Sequence, residues 1–212
     1  MKVLLVNGSP NKNKCTNRAL TEIANTLKKE NIESEIFWIG RKPISGCTDC
    51  HVCEREGKCI LKDEVVEKFL TLARESDGFV FGSPVHYASA SGSMTSFMDR
   101  AFISELVGND NKAFYLKPAS VIVSARRAGT TATFDQLNKY LTLHEMFVVS
   151  SSYWNMVHGD TIEEVERDLE GLQTMRVLAR NMAYFLRCKE IANKYNVALP
   201  KREEPVFTNF IQ

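Results

Sequence analysis

Four of the chain's six cysteines lie within the stretch SGCTDCHVCEREGKCILKDE, residues 45–64, at Cys47, Cys50, Cys53 and Cys59, with two, two and five residues between them. Where thiols stay reduced, cysteines this close together bind metal or exchange electrons more readily than they form structural disulfides. Three thiolates at two-residue intervals, with a fourth shortly after, can wrap one compact inorganic core. The bacterial ferredoxin run begins in the same way but continues differently and ends in proline. Structural zinc sites use two well separated Cys-x2-Cys pairs, and the gap between pairs here is short for that spacing. On spacing alone an iron–sulfur core, a zinc ion, a redox switch and a loop without metal all stay open. The neighbouring His51 and Lys58 do not choose among them, and Cys15 and Cys188 stand apart from the group.

Three further segments carry ligand-binding groups. NGSPNKNKCTNRAL, from Asn7, offers small and hydroxyl residues, two lysines and then a helix start, where free backbone N–H groups and the helix dipole favour a phosphate. It lacks the glycine spacing of either common nucleotide fingerprint, so an ordinary capped loop is the competing reading. GSPVHYASASGSMTSFMDR, from Gly82, surrounds His86 and Tyr87 with small residues, through which backbone amides can reach the edge of a flat ring. Alternatively Tyr87 covers the sheet end and His86 is simply solvated. VSARRAGTTATF, from Val123, sets Arg126 and Arg127 beside Gly129, as an anion site or as solvated surface. No Ser-His-Asp order or nucleophile elbow is present, which argues against hydrolase chemistry.

The hydrophobic pattern supplies the elements that must position these segments. The apolar run Val3–Val6 stops at Asn7-Gly8-Ser9-Pro10, and a helical repeat through Leu20, Ile23, Ala24 and Leu27 follows. The pattern recurs, with strands expected over Glu35–Ile39, Gly78–Phe81, Ala119–Val123 and Phe147–Val149. Helices are expected through Val65–Leu72, Met94–Phe102, Phe134–Leu141 and roughly Thr161–Lys194. Asp63-Glu64 suits the dipole at the start of the second helix, and Met94, Phe97 and Met98 read as core. Continuous apolar strands alternating with helices predict an α/β protein: a flavodoxin-like, doubly wound, five-stranded parallel sheet with helices on both faces. One domain is expected over residues 1–212, with a cysteine-rich loop at 45–62 and a C-terminal helix and tail. The loops after the first, third and fourth strands then leave at one edge, and their residues converge. Tyr153, Trp154, Met156 and His158 are expected in a loop on that edge, walling a substrate pocket, in the same or a neighbouring subunit, or capping the fifth strand.

At 212 residues the chain is long enough for one sizeable core. Its 27 basic against 26 acidic residues, net +1, make no broad basic field for nucleic acid. The apolar run at the N-terminus is too short for a signal-peptide core, and no later run approaches membrane-spanning length. The expectation is a cytoplasmic protein, off the membrane, whose partners are small molecules or proteins.

Taken together, GSP with NKNKCTN after the first strand, GSPVHYASASG followed by FMDR after the third and SARRAGTT after the fourth resemble the NADPH-dependent FMN reductase family of flavodoxin-like proteins. The resemblance runs from Met1 to about Arg187. It implies FMN, with the phosphate held by Ser9, Thr16 and Asn17, and with Asn11 and Cys15 nearby. It also implies an isoalloxazine edged by Pro84, Val85, His86 and Tyr87 and by Ser124, Ala125, Arg126 and Arg127. Many members carry arginine where this chain has Asn11, so the phosphate's charge partner here is Lys12 or Lys14, or backbone amides alone serve. The place of the cysteine loop, between second strand and second helix, resembles the iron–sulfur flavoprotein branch. There Cys47, Cys50, Cys53 and Cys59 would ligate a [4Fe-4S] cluster that passes electrons singly to FMN. The resemblance thus implies an FMN-dependent oxidoreductase, taking electrons from NAD(P)H or a ferredoxin-like donor to a small acceptor such as a quinone or flavin. Arg126 and Arg127 would stabilise anionic reduced flavin, and the assembly would be a homodimer or homotetramer. An electron-transfer protein working between protein partners, and a flavin-binding redox sensor, are the alternatives.

Overall fold

A computed structural model describes residues 1–210. In chain order its elements are β1 (Lys2–Asn7), α1 (Cys15–Lys29), β2 (Glu33–Trp38), α2 (Val52–Glu56), α3 (Val65–Arg74), β3 (Gly78–His86), β4 (Ser89–Ala90), α4 (Gly92–Asn109), β5 (Pro118–Ala125), α5 (Thr130–Leu143), β6 (Phe147–Val148), β7 (Met156–His158), α6 (Ile162–Arg167) and α7 (Leu169–Lys194). The strands order as β2-β1-β3-β5-β6, with Leu5 opposite both Ile36 and Val80. All neighbours on that path are parallel, the doubly wound arrangement expected.

Strand residues alternate between two cores, and both are apolar. Leu4, Val6, Phe79, Phe81, Ala119 and Val121 meet α3, α4 and α5 on one face. Val3, Leu5, Val80 and Ile122 meet α1 and α7 on the other. With no solvated face, the strands have no reason to alternate polar with apolar. On the first face Phe69 and Phe97 lie edge to face at 4.9 Å and Phe102 stacks on Phe114 at 4.4 Å. Such pairs add about 0.5–1.5 kcal/mol each beyond their burial.

The structure differs from the sequence expectation at five places. β2 begins two residues earlier, at Glu33. β3 runs on through Pro84 to His86, because Ser83 and Pro84 pair with Val123 and Ser124 and the strand then folds back on β4. The fifth position in the sheet is split: β6 pairs with Pro118 and Ala119, whereas β7 pairs with Val123–Ala125. Between them residues 150–154 leave the strand pairing, tied by buried Asn155, whose Nδ2 donates to Ser120 Oγ (2.9 Å) and Val121 O (3.1 Å). The final helix breaks at Asp168, whose Oδ1 caps Gly171 N (3.0 Å) while Oδ2 accepts from His158 N (2.7 Å). Finally, a short helix, α2, forms inside the cysteine loop.

Where α5 ends, His144 is buried against the edges of Phe102 and Phe114. Its Nδ1 bonds Asn111 Oδ1 (2.7 Å), and Asn111 Nδ2 returns a bond to His144 O (2.8 Å). Burial lowers the imidazole pKa from 6.5 to about 4, so the fold holds it neutral. Below pH 6.5 the unfolded chain therefore binds a proton that the folded chain refuses. The stabilisation, roughly 3 kcal/mol at 1.36 kcal/mol per pH unit, is complete above pH 6.5 and falls away toward pH 4. In urea titrations at pH 7 and pH 5, His144→Gln should lose at least about 1 kcal/mol less than wild type between the two. Equal losses would refute this account.

Candidate functional site

The carboxyl ends of β1, β3 and β5 lie at one edge of the sheet: Asn7 lies opposite Gly82, and Pro84 opposite Ser124, with β3 running on to His86. The first loop is shaped by Asn7, which is fully buried. Asn7 Nδ2 donates to Lys12 O (3.0 Å) and Asn17 Oδ1 (3.3 Å), and its Oδ1 accepts from Ser9 N (3.0 Å). Ser9 Oγ then accepts from Asn11 N (3.1 Å), and Trp38 Nε1 donates to Ser9 O (2.8 Å). The loop is thus closed on its own strand end before any ligand arrives. It delivers the chain to α1, whose N-cap, Lys14, makes no side-chain capping bond. The first-turn amides of that helix are left available to an anion.

The second loop is a hairpin rather than an irregular segment. His86 pairs with Ser89 across a two-residue turn, Tyr87-Ala88, with both residues in the left-handed region (φ 50° and 58°). A type I′ turn requires that conformation and is normally built with Asn or Gly; here neighbouring contacts impose it. Gly129, itself at φ 95°, lets the hairpin lie flat against the start of α5, since a Cβ there would stand 2.7 Å from Ala88 Cα and 2.8 Å from Val85 Cγ1. From α5, Gln136 Oε1 accepts both Ser89 Oγ (2.8 Å) and Ala90 N (2.9 Å).

Between the three loops lies an open cleft of about 280 Å³. Of the residues expected there, Ser9, Asn11, Cys15, Thr16, Pro84, Val85, His86, Ser124, Ala125 and Arg126 line it. Asn17 is turned to Asn7, Tyr87 stands wholly in solvent at the hairpin tip, and Arg127 is exposed. Pro10, Lys14, Gly159 and Asp160 complete the wall. Gly159 and Asp160 follow β7, a strand that sequence periodicity did not separate from its loop. Thr16 Oγ1 and Ser124 Oγ, both buried, share a hydrogen bond of 2.7 Å at the floor. Lys14 is the cation of the first loop on the cleft; Lys12 sits 5.7 Å over the Trp38 ring. At Asn11 a guanidinium does arrive, from Arg41, whose Nη2 donates to Asn11 Oδ1 (3.0 Å) and Nε to Pro10 O (3.2 Å). Burial pushes the Cys15 thiol up, with Asp160 adding to the effect, so it stays protonated in neutral solution. Of the group expected on this edge, Tyr153, Met156 and His158 line a separate small cavity with Asp168 and Thr174, while Tyr153 and Trp154 pack edge to face at 4.7 Å, about half exposed.

Cys47, Cys50, Cys53 and Cys59 line a second cavity, of about 190 Å³, together with Ile60, Leu61, Arg100, Ile103 and Val107. All six thiols of the chain are free. The loop reverses through left-handed Asp49, His51 and Gly57, with Cys53 and Cys59 half-buried and Cys47 and Cys50 exposed. Bonds from Val52 N–H and the Thr48 hydroxyl lower the Cys50 pKa, whereas burial, then charge on Cys47, Cys50 and Cys59, raises that of Cys53. Among the described residues no three histidine, cysteine or acidic side chains are gathered as ligands of one metal ion. From α4 the buried Arg100 places Nε 3.3 Å from Cys59 Sγ and pairs with Asp63. Asp63, read from sequence as serving the dipole of α3, thus serves this guanidinium instead, and Glu64 at the α3 N-cap pairs with Lys68 (2.8 Å). Arg100 escaped the sequence reading because it sits among the Met and Phe of a core helix. Its signal was the stripe Arg100, Ile103, Ser104 and Val107 at helical spacing.

Comparison with known proteins follows the same lines. The model of a family described as NADPH-dependent FMN reductase matches residues 1–161. An iron–sulfur flavoprotein of Methanocaldococcus jannaschii is 29% identical over 192 residues, covering 86% of this chain and 96% of the relative. RosB, solved with the bound intermediate 8-demethyl-8-formylriboflavin-5'-phosphate, superposes with a TM-score of 0.69 at 16% identity, over 100% of this chain and 94% of that one. A flavodoxin from the domain Archaea superposes with a TM-score of 0.59 at 16% identity, over 88% of this chain and 99% of that one. The fold is therefore flavodoxin-like.

The clamp on the hairpin is testable on its own. Gln136→Leu leaves the Ala90 amide and the Ser89 hydroxyl without their acceptor, a loss of roughly 1 kcal/mol, or about fivefold faster exchange of the Ala90 amide. Gln136→Glu keeps the accepting oxygen and should stay near wild type. Unchanged exchange in the leucine variant would show that the hairpin is held by other contacts.

Proposed function

We propose that this chain, which belongs to the NADPH-dependent FMN reductase family, is an FMN oxidoreductase that takes electrons from NAD(P)H or a ferredoxin-like donor to a small acceptor such as a quinone or flavin. The observation that carries this reading is the cleft at the carboxyl ends of β1, β3 and β5, whose chemistry suits a phosphorylated flat ring. The uncapped start of α1 and Lys14 provide for the phosphate. Backbone at Pro84–His86 and at Ser124–Arg126 borders the place for the ring. Bound there, FMN supplies hydride and single-electron chemistry, and the protein's part is orientation and tuning. Thr16 and Ser124 fix the floor by their shared hydrogen bond. Arg126, exposed at the rim, attracts anionic donors and favours negative charge on the ring.

The four cysteines are read as ligands of a [4Fe-4S] cluster. Their donor set is all thiol, they ring one cavity, and its walls carry the apolar side chains of Ile60, Ile103 and Val107. Such a cluster takes one thiolate at each iron, around its outside, instead of gathering ligands at one point. A cationic N–H donor already faces Cys59. The name of the M. jannaschii relative supports the same reading. This second centre also favours the alternative function, an electron carrier between protein partners such as ferredoxin. The half-exposed Tyr153 and Trp154, with Phe147 and Val148, support association as a homodimer or homotetramer. The protein is read as cytoplasmic; among the described residues no helix is long and apolar enough to cross a membrane.

Anaerobically purified protein should release one FMN per chain, identified by mass spectrometry; FAD, or no flavin after incubation with excess FMN, would remove the central claim. Rapid bleaching of the bound flavin by NADPH would mark the enzyme, and reduction only by ferredoxin or dithionite the carrier. Cys53→Ser should lower iron content and one-electron reduction of the flavin together. Iron and acid-labile sulfide near zero in wild type as well would leave a plain FMN reductase. Light scattering at micromolar concentration should show no monomer.

A further inference from the structure

Arg100 leaves the middle of α4 with 1% of its surface exposed. A buried guanidinium is strongly destabilising unless its hydrogen bonds are met. Here all five of its N–H groups find acceptors. Nε donates to Cys59 Sγ (3.3 Å), Nη1 to Ser45 O (3.4 Å) and Asp63 Oδ2, and Nη2 to Leu61 O (3.2 Å) and Asp63 Oδ1 (3.2 Å). Ser45 lies before the first cysteine of the loop, whereas Leu61 and Asp63 lie after the last, so one side chain ties both ends of the loop to α4. The middle is tied nearby: Asn109 Nδ2 donates to Gly57 O (2.7 Å). Gly108 lets the loop press on the helix, since a Cβ there would stand 2.4 Å from Cys53 O.

We propose that Arg100 is the positioning residue of the cysteine loop: it holds the ring of thiols ready before metal arrives, and its Nε–H on Cys59 Sγ raises the reduction potential of the cluster bound there. The second half rests on the [4Fe-4S] reading above; the first does not. Most small metal sites are folded by their metal. Here the bonds that tie the loop to α4 are made by groups that do not ligate, Cys59 alone excepted. A hydrogen bond to a ligating sulfur disperses its negative charge and favours the reduced, more negative cluster.

Full-length protein is compared as wild type, Arg100→Met and Arg100→Lys, first free of iron, then after anaerobic reconstitution with ferrous iron and sulfide. In iron-free wild type, trypsin should cut slowly at Arg55 and Lys58 inside the loop. Arg100→Met should be cut at least roughly tenfold faster there with unchanged far-UV circular dichroism, because cleavage follows the open population. If Arg100→Met does not fold, Asp63→Asn makes the same comparison from the exposed side of the pair, with a smaller acceleration expected. Arg100→Lys, which keeps the charge but not the Nε–H, should take up wild-type iron and show a lower midpoint potential, a change that a merely structural role would not produce. Iron-free wild type cut as fast as Arg100→Met would overturn the positioning role. Full iron with an unchanged potential in Arg100→Lys would overturn the role of the bond to Cys59. Wild type that takes up no iron while its loop stays protected would defeat the cluster reading, and the claim on potential with it, but would uphold the positioning role.

Discussion

Both candidate sites rest on the contact between Gly8 and Gly82. Gly8 N donates to Gly82 O (2.8 Å) where the chain leaves β1 against the middle of β3. A Cβ on Gly8 would stand 2.5 Å from Met94 Sδ, and one on Gly82 would stand 3.0 Å from Thr16 Cγ2. The missing side chains therefore admit α4 from one face of the sheet and α1 from the other, right up to the strand ends. Once there, α1 turns its open N-terminus and Thr16 into the cleft, and α4 reaches back with Ser91 Oγ to Gly8 O (2.9 Å). Fixing the first turn of α4 also fixes Arg100, about 12 Å further along at 1.5 Å per residue. The height of the cysteine loop above the sheet is thus set from the cleft end.

The two sites use charge in opposite ways. Around the cleft the cations Lys14 and Arg126 are exposed. There they attract anions from solution, are screened by salt and contribute little to stability. The floor is neutral, made of hydroxyls, backbone and a thiol that burial keeps protonated. At the cysteine loop the guanidinium is buried and every N–H is used. Such a pair adds little net stability compared with an apolar replacement, but it tolerates few alternative arrangements.

Much of this was legible in the sequence, for reasons that locate what was not. The strands were found because burial on both faces makes them continuous apolar runs. The cleft followed from topology: if the sheet is parallel, the loops at Ser9, Pro84 and Ser124 must meet. The β3–β4 hairpin was hidden because Tyr87-Ala88 carries none of the usual turn residues; Gly129 and Gln136, some forty residues away, impose its shape. Asp63 was assigned by its place near a helix start, where local electrostatics gave a sufficient account, while its partner lies thirty-seven residues later. In each case the deciding contact was remote in sequence, and local pattern carries no record of it.

The division of the fifth strand has a consequence for the edge of the sheet. β6 contributes two residues and β7 three, with the chain bulging outward between them. An uninterrupted strand in that place would offer a row of free N–H and C=O groups to any passing chain, the usual seed of edge-to-edge aggregation. Here the row is broken before it is long enough to template a partner, and Asn155 turns the bulge's own side chain inward to hold the break. A chain brought to this border would meet side chains such as Phe147 and Trp154 and not a backbone ladder to extend.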